Sequence, residues 1–397
     1  MKRRFLFRTR SEGFWSNWRP LAREASTVDF LALAVTALLL AAGVMFIHST
    51  GEQIGTALAE GFWRKQLVWI AIGGAGYCML ARGDYRRLIP WSWFIYLGTL
   101  ALLVLVLFFG KRVNGATSWL DFGPIQVQPS ELAKLGVILF LASLHDNNLF
   151  KIGKFSHILL SLAVLAVPLG LIAIEPDFGS AIVLIPVGAV MIFAAGLNWR
   201  YLAAALILTT VLLGGLAVNE LAGIRPLLKN YQRERILVFL NPERDLAFRG
   251  YNAYQSRLAV GSGGWFGKGV GQGTQNLLGF LPQSVSNNDF IFSVLAEETG
   301  FAGALLLLLC YALLLYTILR AAFLARDDFA RQIGIGFAML LFVHLFINIG
   351  MSVGLMPITG LPLPLLSYGG SFVVSMLLGL GLMQSIHRYN QLALERD

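Results

Sequence analysis

The sequence predicts an all-α integral membrane protein with about ten transmembrane helices and a large loop between the seventh and the eighth. Hydrophobic residues make up 56% of the 397 residues and charged residues only 13%, which is not the composition of a soluble globular protein. Apolar runs of roughly 20 residues, the length that a helix needs to cross a membrane, recur along the chain. One long polar interval, residues 221–288, interrupts them. We therefore treat residues 1–397 as one membrane domain.

Ten apolar runs predict the ten helices. The fourth run is less apolar than the others because it contains Glu131 and Lys134. Cys78 and Cys310 both lie inside apolar runs, so we expect neither a disulfide framework nor a thiolate metal site. The runs are residues 30–48, 66–81, 89–109, 129–144, 157–174, 180–197, 201–219, 290–320, 333–355 and 365–386.

Lysine and arginine residues in the short loops predict the orientation of the helices. They are concentrated before the first span and in alternate loops after it, which places the N-terminal segment 1–28 and the tail 387–397 in the cytoplasm. No small-residue cleavage site follows the first apolar run, so we expect an uncleaved first span and not a signal peptide. The interval 221–288 then lies on the extracytoplasmic side.

This interval is strongly basic, and two interpretations of it remain open. It is either a solvated loop that rests on anionic headgroups or the wall of a cavity that binds phosphate or pyrophosphate through Arg and Lys. Its glycine-rich run, Gly261–Gly273, is not a nucleotide-binding loop, because Lys268 is followed by Gly269 and not by Ser or Thr. The basic residues are Arg225, Lys229, Arg233, Arg235, Arg244, Arg249, Arg257 and Lys268.

Asp289 follows this interval and precedes the apolar start of the eighth helix. A carboxylate beside many cations favours chemistry on an anionic substrate, and an aspartate at the mouth of a span meets the demands on a general base. The alternative is a helix N-cap, in which the side chain accepts the unpaired amide hydrogens of the first turn. The local pattern favours neither over the other.

The other charged residues within apolar runs favour structural roles. Glu131 and Lys134 are three residues apart and share a helix face, so we favour an ion pair that braces a cavity over direct catalysis. Glu297 and Glu298 lie too far along the eighth helix from Asp289 to form a close carboxylate dyad, and we expect one of them to bind a cation or hold helices together. The histidines show no metal-ligand spacing; they are His48, His145, His157, His344 and His387.

Five blocks of sequence resemble the SEDS family (shape, elongation, division and sporulation) over nearly the whole chain. The blocks are NGATSWLDFGPIQVQPSELAKL, EPDFGSA, AVGSGGWFGKGVGQGTQ, NDFIFSVLAEETGF and NIGMSVGLMPITGLPLPLLSYGGSF. The sequences of these blocks are closer to the elongation branch of the family than to its division branch. One position departs from the family, because many members have His-Thr before the aspartate where this chain has Asn287 and Asn288. A histidine-assisted mechanism is therefore in doubt here.

The resemblance implies a glycosyltransferase that polymerises lipid II into β-1,4 glycan strands of peptidoglycan during cell elongation and shape maintenance. The reaction would take place outside the bacterial cytoplasmic (inner) membrane. It implies a class B penicillin-binding protein and the elongation machinery as partners, membrane lipids around the chain, and no nucleic acid. The family's essential acid maps onto Asp289, and its intramembrane pair onto Glu131 and Lys134. The resemblance implies no certain cofactor, and a divalent cation (Mg²⁺ or Mn²⁺) is left open. We expect substrate binding or cavity support from Arg225, Arg233, Arg244, Arg257, Lys268 and Gln283.

Two other functions remain open at this point. A lipid II flippase would also need many spans and intramembrane charges. Against it, the polar residues are concentrated on one side and no inverted repeat is evident. A scaffold that only recruits the transpeptidase would need neither the basic loop nor Asp289.

Overall fold

Each of the ten apolar runs coincides with a long helix in the computed structural model of the chain. The structure describes residues 27–52, 61–113, 116–121, 123, 126–146, 155–221, 249–281 and 283–394. Three further helices lie in the second half of the interval that the sequence predicts as a loop. The helices are α1 (Phe30–Glu52), α2 (Gly61–Arg82), α3 (Ser92–Phe109), α4 (Pro129–Asp146), α5 (Phe155–Ile174), α6 (Phe178–Ala194), α7 (Trp199–Leu221), α8 (Arg249–Ser262), α9 (Thr274–Leu277), α10 (Gln283–Ser286), α11 (Ile291–Phe323), α12 (Asp328–Ser352) and α13 (Gly370–Leu394).

Six of the described helices are long and apolar enough to cross a membrane. They are α1, α3, α5, α11, α12 and α13, judged by length and composition. Helix α6 is apolar but shorter, with 17 residues. Ten crossings therefore remain a prediction, whereas a mostly helical membrane protein is what the structure contains.

The segment between α3 and α4 corrects the all-α prediction. It contains three short strands, β1 (Lys111–Val113), β2 (Ala116–Asp121) and β3 (Gln126–Val127), which form an antiparallel sheet in the order β1-β2-β3. Lys111 and Asp121 form an ion pair of 2.9 Å across β1 and β2. Strands of two to six residues between glycine and proline are too short for an alternating pattern to reveal them.

The helices pack around a loop, residues 353–369, which we call the α12–α13 loop. Helix α13 packs along α2, α11 packs against α12 and α1, and α12 packs against α4 and α6. Tyr311 of α11 donates a hydrogen bond to Pro364 O of the loop. Gly43 of α1 lets the loop approach closely, because a Cβ there would lie 2.7 Å from Leu366 O. Residues 361–367 of the loop are therefore enclosed by helices, whereas Leu355 in its first half is 74% exposed. Broken backbone within a membrane protein is tolerated where protein covers it.

Helices α8, α9 and α10 and the glycine-rich run form a hairpin, residues 249–286, against α11. Lys268 N donates to Glu297 O at 3.1 Å, and Phe301 N donates to Gly264 O at 2.8 Å. Gly300 interrupts α11 with φ 67° and ψ −164°, a conformation that essentially only glycine adopts. A Cβ on Gly300 would lie 2.3 Å from Gly267 N, so the two backbones are in direct contact. The hairpin is thus fixed in position along α11.

Candidate functional site

Asp289 lies in the turn between α10 and α11, and it is not the N-cap of α11. The N-cap position belongs to Phe290, and no side chain caps the helix there. Among the described residues, Asp289 Oδ1 has no hydrogen-bond partner although it is shut off from water. The residue as a whole keeps part of its surface exposed. Of the two interpretations that the sequence left open, the capping one is wrong.

Burial raises the pKa of Asp289 to about 7 from its ordinary value of 3.8. Desolvation disfavours the charged carboxylate, and no cation offsets this effect among the described residues. The carboxyl is therefore divided between its protonated and ionised forms near neutral pH. A group with this pKa can both take up and release a proton under physiological conditions.

The α12–α13 loop holds the backbone of the turn that carries Asp289. Tyr368 N donates to Asn287 O at 2.9 Å, and Ser367 Oγ donates to Asn288 O. Ser367 Oγ also accepts a hydrogen bond of 2.8 Å from Leu363 N. The loop and the turn are therefore joined at two successive carbonyls just before Asp289.

Asn348, a buried residue of α12, forms a third connection between the α12–α13 loop and the turn that carries Asp289. Its Nδ2 donates to Asp289 O at 2.8 Å and to Leu361 O at 2.7 Å. Two carbonyl acceptors fix which end of the amide is nitrogen. Asn348 therefore sets the distance between the backbone of Asp289 and the α12–α13 loop.

The loop also faces the carboxyl group of Asp289. A Cβ on Gly360, whose φ is +75°, would lie 3.5 Å from Asp289 Oδ2. From the opposite side, Gly179 at the start of α6 faces the loop, and a Cβ there would lie 2.9 Å from Thr359 O. The carboxyl of Asp289 thus faces a stretch of loop backbone that carries no side chain at position 360.

Glu131 and Lys134 form a buried ion pair that reaches the same loop through His344. Lys134 Nζ donates to Glu131 Oε1 at 2.8 Å and lies 3.0 Å from His344 Nε2. His344 Nδ1 lies 3.3 Å from Pro362 O. Because the ammonium can only donate, Nε2 must accept and Nδ1 carries the proton toward Pro362. The pair on α4 is therefore linked to the loop that holds Asp289.

A further buried carboxyl lies at the turn between α5 and α6. Both oxygens of Glu175 are without a hydrogen-bond partner among the described residues. Burial, with Asp177 nearby, raises the pKa of Glu175 to about 8. Asp177 in contrast is well bonded, since it accepts from Ser180 N at 3.1 Å and from Gln128 Nε2 at 2.9 Å. Its surroundings therefore favour the protonated form of Glu175.

Of the basic residues expected to bind substrate, Arg257 lies at the α12–α13 loop. Its side chain covers Gly354, where a Cβ would lie 2.6 Å from Arg257 Cδ. Arg257 Nε donates to Ala253 O at 3.3 Å, so the rest of the guanidinium keeps donors for another partner. Arg225, Arg233 and Arg244 lie outside the described residues, and so does the side chain of Gln283, whose backbone begins α10.

Lys268 bonds to side chains of the hairpin and of α11. Its Nζ donates to Glu297 Oε1 at 2.6 Å, to Ser262 Oγ at 2.8 Å and to Thr274 Oγ1 at 2.6 Å. These bonds use all three donors of the ammonium. Glu297 is the member of the Glu297–Glu298 pair that holds the hairpin to α11. Within the described residues, no group of three or more His, Cys, Asp or Glu side chains could hold a metal ion.

Sequence reasoning missed two residues of this site, His344 and Asn348. They are four residues apart on α12 and therefore lie on one face of the helix. Asn348 opens the last of the five blocks that resemble the SEDS family, Asn348–Phe372, a block in which the sequence pattern assigns no residue a role. A buried neutral amide gives no charge signal, and histidines were examined only for metal-ligand spacing.

Comparisons with known proteins place the chain among cell-wall enzymes. A sequence model of the family described as "Cell cycle protein", which covers FtsW, RodA and SpoVE, matches residues 29–392. The peptidoglycan glycosyltransferase MrdB of Escherichia coli strain K12 is 35% identical over 367 residues, with 91% of this chain and 94% of MrdB covered.

Solved structures agree with the sequence relatives. A chain described as "Structural coordination of polymerization and crosslinking by a peptidoglycan synthase complex" has a TM-score of 0.76 and 32% identity, with 91% of this chain and 98% of that chain covered. The rod shape determining protein RodA of Thermus thermophilus has a TM-score of 0.67 and 30% identity, with 91% and 97% covered.

Proposed function

The chain belongs to the FtsW/RodA/SpoVE family of cell cycle proteins, and on that premise we propose that it is a peptidoglycan glycosyltransferase of the RodA type. The family is the SEDS family that the sequence motifs resemble, so the family predicted from the motifs is confirmed. The chain is a multi-pass membrane protein and an enzyme, as its relatives of 35% identity over nine tenths of its length are. Its substrate is lipid II, and its product is a β-1,4-linked glycan strand.

The observation that carries the catalytic part of the proposal is the buried, unpartnered carboxyl of Asp289. Its Oδ1 lacks a donor among the described residues, and its pKa is raised to about 7. A general base works best when its pKa is close to the working pH. Three backbone carbonyls around it, those of Asn287, Asn288 and Asp289 itself, are held by other segments, so the base is fixed before the substrate arrives.

Asp289 takes the proton from the 4-hydroxyl of the acceptor GlcNAc. The oxygen then forms a bond to the anomeric carbon of the donor MurNAc, and the bond from that carbon to the undecaprenyl pyrophosphate oxygen breaks. Attack from the face opposite the leaving group converts an α-linked donor into a β-1,4 product. The proton ends on Asp289, and the electron pair leaves with the pyrophosphate.

Cations stabilise the charge that develops on the pyrophosphate, so no protein acid is required. Arg257 is the described candidate, because its guanidinium lies at the α12–α13 loop and, within the described part of the chain, only its Nε donates a hydrogen bond. Arg225, Arg233 and Arg244 precede it in the basic interval, and Gln283 begins α10. A divalent cation is left as an alternative carrier of this positive charge.

The proposal extends to the surroundings of the enzyme. We propose that the chain spans the bacterial inner membrane with both termini in the cytoplasm. The site then lies on the extracytoplasmic side, as the distribution of Lys and Arg predicts. We further propose that a class B penicillin-binding protein of the elongation machinery crosslinks the strands. A solved relative described as part of a peptidoglycan synthase complex supports this assembly.

Reconstitution tests the proposed function. The purified chain with its cognate transpeptidase in liposomes is expected to convert lipid II into glycan strands, measured by gel electrophoresis of labelled product. Movement of lipid II between leaflets is measured in the same liposomes. Leaflet exchange without glycan would contradict the proposal in favour of a flippase, and neither activity would favour a scaffold.

The rate of polymerisation is expected to depend on pH through the ionisation of Asp289. Only the carboxylate can accept a proton, so kcat/KM should fall about tenfold per pH unit below about pH 7 and level off above it. An unperturbed aspartate would keep the rate level down to about pH 5. Glu175→Gln removes a second carboxyl whose pKa is raised into this range, to about 8, and should leave the midpoint where it is. A flat profile between pH 5.5 and 8 would exclude Asp289 as the titrating base.

Asn348→Ala is expected to lower kcat by about 10²-fold with a smaller change in KM. The substitution removes the two hydrogen bonds that fix the backbone of Asp289, and a small displacement of a catalytic group has an effect of this size. Asn390→Ala is the matched control, because Asn390 is also buried and its Nδ2 donates to Ala321 O at 3.0 Å. This hydrogen bond joins the last turns of α13 and α11. Equal losses of kcat in the two variants would make Asn348 a general stability residue.

A further inference from the structure

From Leu258 onward the hairpin 249–286 has the charge pattern of a membrane segment, whereas its first nine residues carry Arg249 and Arg257. Between Leu258 and Asn288, 31 residues contain a single charged side chain, that of Lys268. That side chain is folded inward, where Glu297 neutralises it at 2.6 Å. Two more polar groups, the side chains of Ser262 and Thr274, take the remaining donors. The single cation of this stretch is therefore paired with a buried carboxylate, and 27% of its side chain remains exposed.

Large apolar side chains occupy the outer face of the hairpin. Trp265 is 70% exposed and Phe266 is 84% exposed, at the tip of the hairpin. A loop in water would show the opposite arrangement, with charges outside and aromatic side chains covered. The exposed apolar residues are Trp265, Phe266, Val270, Leu277, Leu278 and Phe280.

The depth of the tip follows from its hydrogen bonds to α11. Phe301 N donates to Gly264 O at 2.8 Å, and Ala302 N donates to Trp265 O at 3.0 Å. At 1.5 Å per residue, Phe301 lies about 33 Å from Phe323 at the far end of α11, close to the ~30 Å thickness of a hydrocarbon core. This measure places the tip at the edge of the core, where Trp side chains are enriched.

Helix α12 gives a second measure of depth. Ser256 of α8 bonds both Ser293 Oγ of α11 and Ser352 O at the end of α12. These three residues therefore share one level, at which helix α12 ends. Phe301 lies about 12 Å deeper along α11 than Ser293, at 1.5 Å per residue. By this measure the tip is inside the acyl-chain region.

We propose that the hairpin 249–286 is a re-entrant membrane segment, whose tip at Trp265 and Phe266 contacts lipid acyl chains in the leaflet on the Asp289 side. Both depth measures and the inward-turned charge support this surface as a lipid contact. The segment leaves that leaflet again through α9 and α10 and leads directly to Asp289. This inference does not depend on the reaction that Asp289 performs.

A spin label tests the proposal. Cys78 and Cys310 are first replaced by serine and alanine, and Phe266→Cys then carries a nitroxide in the full chain reconstituted in liposomes. We expect high collision rates with oxygen and low collision rates with a water-soluble nickel complex. Leu309→Cys, on the exposed face of α11, is the lipid reference, and Asp121→Cys, on the sheet, is the water reference.

Two results would overturn the proposal. A label at position 266 that meets the nickel complex as often as the label at 121 would place the tip in water. Low collision rates with both reagents would mean that protein covers it. A second measurement needs no cysteine: lipids brominated on their acyl chains should quench the fluorescence that disappears in Trp265→Phe, and absence of that quenching would also contradict lipid contact.

Discussion

Asp289→Asn is expected to lower the rate of glycan polymerisation by about 10²- to 10⁴-fold, the usual contribution of general acid–base catalysis. Asparagine has nearly the same size but cannot accept a proton from the acceptor hydroxyl. Its side chain would occupy the same place beside Gly360. A Cβ on Gly360 would lie 3.5 Å from Asp289 Oδ2. The rate of strand formation from lipid II, measured with the cognate transpeptidase present, checks the prediction.

Two controls keep this result specific to the base. Asp121→Asn changes a carboxylate on the sheet, paired with Lys111 at 2.9 Å, and should leave the rate near that of wild type. The midpoint of thermal unfolding should be unchanged or higher in Asp289→Asn, since a buried carboxyl without a donor disfavours the folded state. Polymerisation at more than about a tenth of the wild-type rate would exclude Asp289 as the general base.

Lys134→Met is expected to destabilise the fold by roughly 3–5 kcal/mol, the cost of leaving one member of a buried ion pair alone. Lys134 is 0% exposed and Glu131 is 2% exposed. The substitution leaves Glu131 without its cation and His344 Nε2 without its donor. Thermal or denaturant unfolding in detergent measures the loss.

The chain offers a matched pair for comparison. Asp328 and Arg331 have the same three-residue spacing and a distance of 2.6 Å, but both side chains are exposed. Arg331→Met should therefore cost less than about 1 kcal/mol. The double variant Glu131→Leu with Lys134→Met should recover part of the stability, because apolar residues often replace a buried pair without loss. Equal losses of stability in Lys134→Met and Arg331→Met would show that burial does not increase the cost of breaking an ion pair.

The sequence predicted the helices well because hydropathy reports burial in lipid directly. Each apolar run coincides with a helix, and the fourth run, with Glu131 and Lys134, became α4 (Pro129–Asp146). The helix α8 (Arg249–Ser262) was missed because its composition is polar and its apolar residues do not form a long run. The three strands were missed because they are too short for a periodic pattern.

The site was predictable only where it carries charge. Asp289 was singled out because a carboxylate follows a basic interval and precedes a span. Asn348 and His344 contact backbone carbonyls of the α12–α13 loop, and the conformation of that loop cannot be predicted from the sequence. The contact of Lys134 with His344 joins residues 210 positions apart, and local spacing holds no information on such a distance. Lys268 was expected to bind substrate or to support the cavity, and its contact with Glu297 on the neighbouring helix was not predicted.

The backbone contact between Gly267 and Gly300 constrains the order in which the chain can be assembled during biosynthesis. The hairpin leaves the ribosome before α11 does, yet its docking surface is the stretch of α11 from Glu297 to Ala302. Until that stretch has been made, Lys268 has no carboxylate to neutralise it. The hairpin therefore cannot take its final position before this part of α11 has been made.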